Sequence, residues 1–353
     1  MTLLTAFESD PTLLAFSYYM DGCPAQDQRQ PYFTKRQACY ACTFDILDML
    51  LKEQSEEKAS AALVDMVWAK VTSSEDELWH YALYDWMLST LPDGQHRLRE
   101  LSTPFIEKFL HRRASEAPDG YELLADYYVR HRLFGLAAKT LLLLADLTTV
   151  AIPIDKRIEY LSFALSHARS AYHSGLTLAN GSDSRANEWT TNGLGAAGEQ
   201  YFDQLPFLTN DDAWISLLQD KVDVAFVQQK LYKTLSNMRD VFRDESVGDE
   251  LLLTLGEYGL YDVSTLYHRY ALPFQLYDMQ LLLFDLAQVT EGDKIRDAWQ
   301  ALLHKELMEA GSTTRIWDVV TLKMTSLGQR LSPNGSVFDP RTSFLNFLAL
   351  DQL

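Results

Sequence analysis

The chain is short of cysteine, of basic charge and of long apolar runs, and each shortage closes off a class of protein. Three cysteines among 353 residues cannot build a disulfide framework, and their scarcity fits a reducing compartment. The 31 Lys and Arg stand against 49 Asp and Glu, for a net charge of -18. Such a surface repels phosphate. Nucleic-acid binding rests on clustered cations that release counterions, and the only basic cluster is His111-Arg112-Arg113. No direct nucleic-acid partner is expected, nor docking on anionic lipid through a broad basic face. No segment nears the roughly 20 consecutive apolar residues that span a bilayer; the best run, Leu141 to Leu144, lies between Lys139 and Asp146. Met1 to Asp10 has no basic region leading into an apolar one, so no secretory signal is read there.

Reactive motifs are missing as well. There is no Walker loop, no His-Glu-x-x-His and no Gly-x-Ser-x-Gly elbow. Gly193-Leu-Gly195-Ala-Ala-Gly198 matches a nucleotide-binding pattern in letters only, since no strand precedes it. The eight histidines are scattered and read as surface or interface residues. Cys39-Tyr-Ala-Cys42 is a CxxC inside a helical pattern, and no histidine before His80 could complete a zinc set with Cys23. The two thiols read as packed side chains, and no metal, cofactor or catalytic residue is assigned. Paired carboxylates such as Glu56-Glu57 are too common to signal catalysis. Asn180-Gly-Ser182 and Asn334-Gly-Ser336 fit the glycosylation sequon by chance.

What is present is apolar residues at helical spacing. The hydrophobic share of 47% suffices for a large core. Ile46, Leu47, Leu50 and Leu51 recur at three and four against Asp45, Asp48, Lys52 and Glu53. A helix is expected from about Glu77 to Leu91, with Ser73 and Ser74 supplying its cap. Pro92-Asp-Gly94 stops it. Thr103-Pro104 opens the next helix, and Pro118-Asp-Gly120 punctuates before another. Helices follow at Leu133 to Leu147 and at Ile158 to Ala171, the second capped by Asp155 with Ile158, Leu161, Phe163 and Leu165 as its apolar stripe. Residues 174 to 198 read as a long surface loop. Helical pattern resumes at Trp214 to Phe242, Glu250 to Leu255, Leu260 to Tyr270, Gln275 to Ala287, Ile295 to Met308, Arg315 to Leu331 and Ser343 to Leu350. The fold expected is all-α: an irregular solenoid of stacked antiparallel helix pairs.

Several of these runs resemble, in order and spacing, the large inner-ring scaffold nucleoporins of the nucleoporin 155/170 family. They are Tyr18-Tyr-Met-Asp-Gly-Cys-Pro-Ala-Gln-Asp27, Glu77-Leu-Trp-His-Tyr-Ala-Leu-Tyr-Asp-Trp86, Ser102-Thr-Pro-Phe-Ile-Glu107, and Leu144-Ala-Asp146 with Lys156-Arg-Ile-Glu-Tyr-Leu161. Lys221-Val-Asp-Val-Ala225, Leu272-Pro-Phe-Gln-Leu-Tyr277 and Trp299-Gln300 continue the series. The resemblance covers most of residues 18 to 345 and consists of helix-core and turn residues. It implies that residues 1–353 are a fragment of one α-solenoid domain, without the family's N-terminal β-propeller and its final helices. It also implies a non-enzymatic scaffold of the nuclear pore complex, at the nuclear envelope. The partners implied are linker nucleoporins of the nucleoporin 98 and nucleoporin 53 types, bound as short segments. A karyopherin-like or vesicle-coat adaptor solenoid, or an all-α enzyme, are the alternatives.

Grooves between stacked helices can take apolar anchors of a peptide. Tyr18, Tyr19, Phe33 and Tyr40 are the candidate partner-binding residues, lining a groove near the N-terminus. The alternative is that these aromatics pack against one another.

Overall fold

A computed structural model describes residues 10–55, 61–174, 211–238, 245–310 and Leu322. Among them there is no strand. The chain divides into two compact units, with the boundary after Leu133.

The first unit contains α1 (Pro11–Met20), α2 (Gln30–Ser55), α3 (Ala61–Thr72), α4 (Glu77–Thr90), α5 (Gly94–Glu100), α6 (Ile106–Glu116) and α7 (Pro118–Arg130). Each helix begins where local chemistry dictates, and three starts differ from the sequence reading. The N-cap of α4 is Asp76, not Ser73 or Ser74, and its carboxylate makes no cap bond because Arg36 and Tyr40 occupy it. The Ser74 hydroxyl instead accepts from the Asp76 amide at 3.2 Å. Phe105 precedes α6 at its cap, since the Thr103 hydroxyl is engaged by Tyr84. Pro118 does not end anything: it is the first residue of α7, where its missing N–H costs no helical bond. Gly120 then lies against α6, where an added Cβ would fall 2.3 Å from the Ala114 nitrogen. That contact explains glycine in the first turn of a helix.

Two histidines of this unit are a second correction, while His96 and His131 are exposed as expected. His80 and His111 are buried, and both are spent on internal bonds. His80 donates through Nε2 to the Ser74 carbonyl at 2.7 Å and accepts at Nδ1 from the Tyr84 hydroxyl at 3.2 Å. His111 Nε2 bonds the Tyr128 hydroxyl at 2.8 Å.

The second unit contains α8 (Phe134–Asp146), α9 (Ile154–His173), α10 (Asp211–Asn237), α11 (Glu245–Glu257), α12 (Val263–Thr265, continuing as a π-helical turn Leu266–Ala271), α13 (Tyr277–Leu286) and α14 (Gly292–Ala310). Asp155 lies inside the first turn of α9, whose cap is Pro153. Its carboxylate faces Lys233 at 3.8 Å, while Arg169 near the other end donates to Gln219 at 3.0 Å. Those two ties fix α9 and α10 as antiparallel. Further along, Leu231, Leu235, Leu255, Leu266 and Tyr270 share one core, and Leu281, Ala298, Trp299 and Leu302 form another cluster.

The buried stripe of α9 runs through Ile154, Arg157, Ile158, Leu161, Ala164, Leu165, Ala168 and Ala171. Phe163, expected in that stripe, is half exposed: two positions from both Leu161 and Leu165, it points to the other side of a 3.6-residue helix. Arg157 takes a core place instead. It is fully buried and donates to the carbonyls of Ile152 (3.0 Å), Ala145 (2.5 Å), Val150 (3.3 Å) and Glu257 (2.7 Å). Gln228 fills a similar office, donating to Leu255 and Gly259 at 2.8 and 3.0 Å and accepting from the Tyr261 amide at 3.0 Å. Together they satisfy carbonyls in the last turns of α8 and α11 and in the loops beside them, most of them buried.

Most of the expected loop from 174 to 198, the Gly193–Gly198 motif, both sequons and, Leu322 apart, the expected helices at 315–331 and 343–350 lie outside the described residues.

Candidate partner-binding surface

The first unit is built around a ladder of rings. The α1–α2 turn folds the chain back through Gly22 and Cys23, both at positive φ (78° and 54°). Arg29 clamps the turn, donating to Asp21 and Asp27 at 2.6 Å each and to the Ser17 hydroxyl at 3.1 Å. Its hydrogen bonds hold the Asp27 carboxyl at about 2, below the ordinary carboxylate value of 3.8. This return brings α1 and α2 together at Tyr18–Phe33, with ring centres 5.3 Å apart, and at Tyr19–Phe33, stacked at 6.1 Å. The Arg112 guanidinium lies 4.0 Å over the Tyr19 ring, and Tyr19 meets Tyr81 of α4 at 6.0 Å.

The ladder continues along α2. Tyr40 sets its edge on Trp79 at 5.2 Å, and Phe44 stacks on Trp79 and Trp86 at 5.1 and 5.3 Å. The Tyr40 hydroxyl donates to Asp76 at 2.5 Å, where Arg36 also binds, and Arg36 reaches the Thr12 hydroxyl at 2.5 Å. Burial, and then the bond to Asp76, push the Tyr40 phenol well above its ordinary value. Burial also raises the Tyr18 and Tyr19 phenols. Ring pairs of this kind add about 0.5–1.5 kcal/mol each beyond the area they bury.

The four candidate residues therefore divide. Tyr18 and Tyr40 are 4% and 7% exposed and spend their faces within the fold. Tyr19 and Phe33 are half-buried, each keeping an edge toward solvent. Met20, exposed on α1, lies beside that edge, its sulfur accepting from the Arg112 guanidinium at 3.7 Å, and was not singled out in the sequence; Leu13, seven residues earlier, is exposed on the same helix face. Tyr19, Phe33 and Met20 form an apolar shelf bounded by Arg112, whose charge is already shared with the Tyr19 ring. Peptide anchors could lie on such a shelf, but the arrangement holds no nucleophile and base in contact.

All three cysteines are exposed, which corrects the expectation of packed thiols. On α2 the buried stripe passes through Tyr40 and Leu47, and Cys39 and Cys42 fall outside it. Among the described residues no group of three or more His, Cys, Asp or Glu gathers as a metal ion would require, and no helix is long and apolar enough to cross a membrane.

Comparison with known proteins places this architecture. The family model of the C-terminal region of non-repetitive, WGA-negative nucleoporins matches residues 1–345. The chain belongs to this family. Membership places it at the nuclear pore complex of the nuclear envelope. A probable nucleoporin of Schizosaccharomyces pombe is 36% identical over 165 residues, covering 46% of this chain and 12% of that protein. Nucleoporin NUP170 of Saccharomyces cerevisiae is 26% identical over 86% of this chain and 19% of its own length, and Nup154 of Drosophila melanogaster is 24% identical over 96% and 24%. The chain thus spans less than a quarter of each of these relatives. Among solved structures, the Chaetomium thermophilum Nup170 C-terminal domain in complex with Nup145N superposes with a TM-score of 0.70 at 23% identity, covering 98% of this chain and 62% of that one. The Nup170 solenoid of the same organism gives 0.70 over 97% and 42%. These neighbours fix the fold as the all-α solenoid of nucleoporin C-terminal regions.

Proposed function

We propose that this chain is a scaffold segment of the nuclear pore inner ring, part of a single α-solenoid domain, that acts by holding short linear segments of linker nucleoporins and catalyses nothing. The observation that carries the reading is the family match over residues 1–345, joined to a fold whose matched helices are packed structural elements. A solved relative of the same fold is a complex with Nup145N, which supports a nucleoporin segment as the ligand here. Linkers of the nucleoporin 98 and nucleoporin 53 types are the proposed partners.

The proposed contact surface is the shelf at the α1–α2 end. Tyr19 and Phe33 supply the anchoring edges, Met20 extends them beside Arg112, and the buried Tyr18 backs Phe33 while the buried Tyr40 holds α2 on Trp79 of α4. A few aromatic anchors carry most of the energy of such interfaces.

The test is a calorimetric titration of linker-nucleoporin segments of both types. Tyr19→Ala and Phe33→Ala are each expected to weaken binding by about tenfold or more while the melting temperature shows the unit folded. Tyr40→Glu is expected to unfold the unit, because the new charge would face Asp76 in a buried setting. Unchanged affinity in both folded alanine variants removes the groove from this end of the chain. Failure of every linker segment to bind the parent protein removes the linker reading itself.

A further inference from the structure

Helix α2 has two stripes. The inner one, through Tyr40, Phe44 and Leu47, lies on or beside Trp79 and Trp86. The outer one is Tyr32, Lys35, Cys39, Cys42, Ile46 and Met49, which recur at alternating steps of three and four. Every one of them is exposed, with Tyr32, Ile46 and Met49 at 44%, 51% and 55%. Alternation of three and four keeps all six on one face of the helix, and Tyr32, Ile46 and Met49 make that face partly apolar, as a helix that pairs with another helix requires. Cysteine is moreover among the residue types most often buried, and here two stand in the open at the middle of the seam.

We propose that this outer stripe pairs antiparallel with the same stripe of a second copy of the chain, across a twofold axis between Cys39 and Cys42. The stripe is close to self-complementary about that point. Antiparallel pairing sets Cys39 against the partner's Cys42, Tyr32 against the partner's Met49, and the aliphatic stem of Lys35 against the partner's Ile46.

Charge selects the same direction. Exposed Lys35 precedes the midpoint and exposed Asp45 follows it, so antiparallel pairing brings Lys35 beside the partner's Asp45 and, by symmetry, makes that contact twice. Parallel pairing would instead set Lys35 against Lys35 and Asp45 against Asp45. The seam from Tyr32 to Met49 is about 26 Å long at 1.5 Å per residue. One helix pair of that length buries less than the ~1,200 Å² of a stable interface, so the dimer is weak and concentration-dependent. The pairing is independent of the linker-binding reading.

Sedimentation velocity of the full chain across a concentration series tests it. The parent is expected to pass reversibly from monomer to dimer. Ile46→Glu combined with Met49→Glu, both at exposed positions, is expected to abolish the dimer without moving the melting temperature. Lys35→Glu alone is expected to weaken it about tenfold or more, and adding Asp45→Lys restores it by exchanging the charges. In a Cys23→Ser background, oxidation by diamide is expected to trap a dimer whose peptide map links Cys39 to the partner's Cys42. A parent that stays monomeric throughout, a dimer that survives Ile46→Glu/Met49→Glu, or a charge exchange that fails to rescue overturns the proposal.

Discussion

Replacing Arg157 by Met separates the guanidinium's bonding from its bulk, because the two side chains fill similar lengths of core. Four carbonyls accept from Arg157 in the native protein. One of them, Glu257, also accepts from the Ile152 amide at 3.0 Å and would keep a partner. The bonds to Ala145 and Ile152 are buried and that to Val150 is partly so, and Ala145 stands in the last turn of α8, where no further helical amide follows. Orphaning each buried carbonyl costs about 1–3 kcal/mol. The variant also escapes the several kcal/mol needed to desolvate a cation; the two together leave a net loss of roughly 3 kcal/mol. That corresponds to a fall in melting temperature of about 6–12 °C for a unit of this size. Urea denaturation followed by circular dichroism reads the first quantity, and hydrogen exchange at the Ile152 amide reads the local one, which should lose protection ahead of α9. Arg157→Lys should fall between parent and Met, since one ammonium cannot reach carbonyls on so many sides. A Met variant within about 1 kcal/mol of the parent would refute the reasoning, for it would mean those carbonyls find water or one another at no cost.

Other perturbations follow from the same geometry. Gly120→Ala puts a Cβ 2.3 Å from the Ala114 nitrogen and 2.6 Å from the Arg113 oxygen; α6 and α7 must part, and thermal melting should show a loss of about 3 kcal/mol or more. Tyr40→Phe keeps the ring on Trp79 and removes the bond to Asp76, so a loss of about 1–2 kcal/mol is expected, while Tyr40→Leu should cost more because the edge contact goes too. Asp27 is depressed in the folded state from 3.8 to about 2 by Arg29, so its contribution is whole above pH 3.8 and fades as pH falls toward 2. Protection of the α1–α2 turn should decline over that window, and in Asp27→Asn the decline should be absent.

The all-α architecture was legible because apolar periodicity survives even where helix ends do not. Boundaries slipped for a reason visible in the contacts. Ser73, Ser74 and Thr103 are good capping residues, yet Thr103 binds Tyr84 and the Asp76 that outranks the serines binds Arg36 and Tyr40. Tertiary bonds took the caps' donors and acceptors. Arg157 was hidden by its chemistry, since charge usually marks a solvated face, although Leu161, Ala164, Ala168 and Ala171 continue its stripe with small residues that signal close approach. Of the candidate surface, the aromatic character of Tyr18, Tyr19, Phe33 and Tyr40 was readable and their division into base and edge was not. That division depends on Trp79 and Asp76, some forty residues along the chain.

The bond from Arg157 to the Glu257 carbonyl spans 100 residues of sequence, and that separation sets a clock on the protein's birth. At 5–20 residues per second, a ribosome needs about 5–20 s to add the missing stretch. In the later part of that interval, once α9 is complete at His173, α8 and α9 can emerge with the guanidinium held only by its nearer carbonyls. The nascent second unit therefore waits in an incomplete state that a chaperone can recognise, and codons that slow translation between these two residues lengthen the wait.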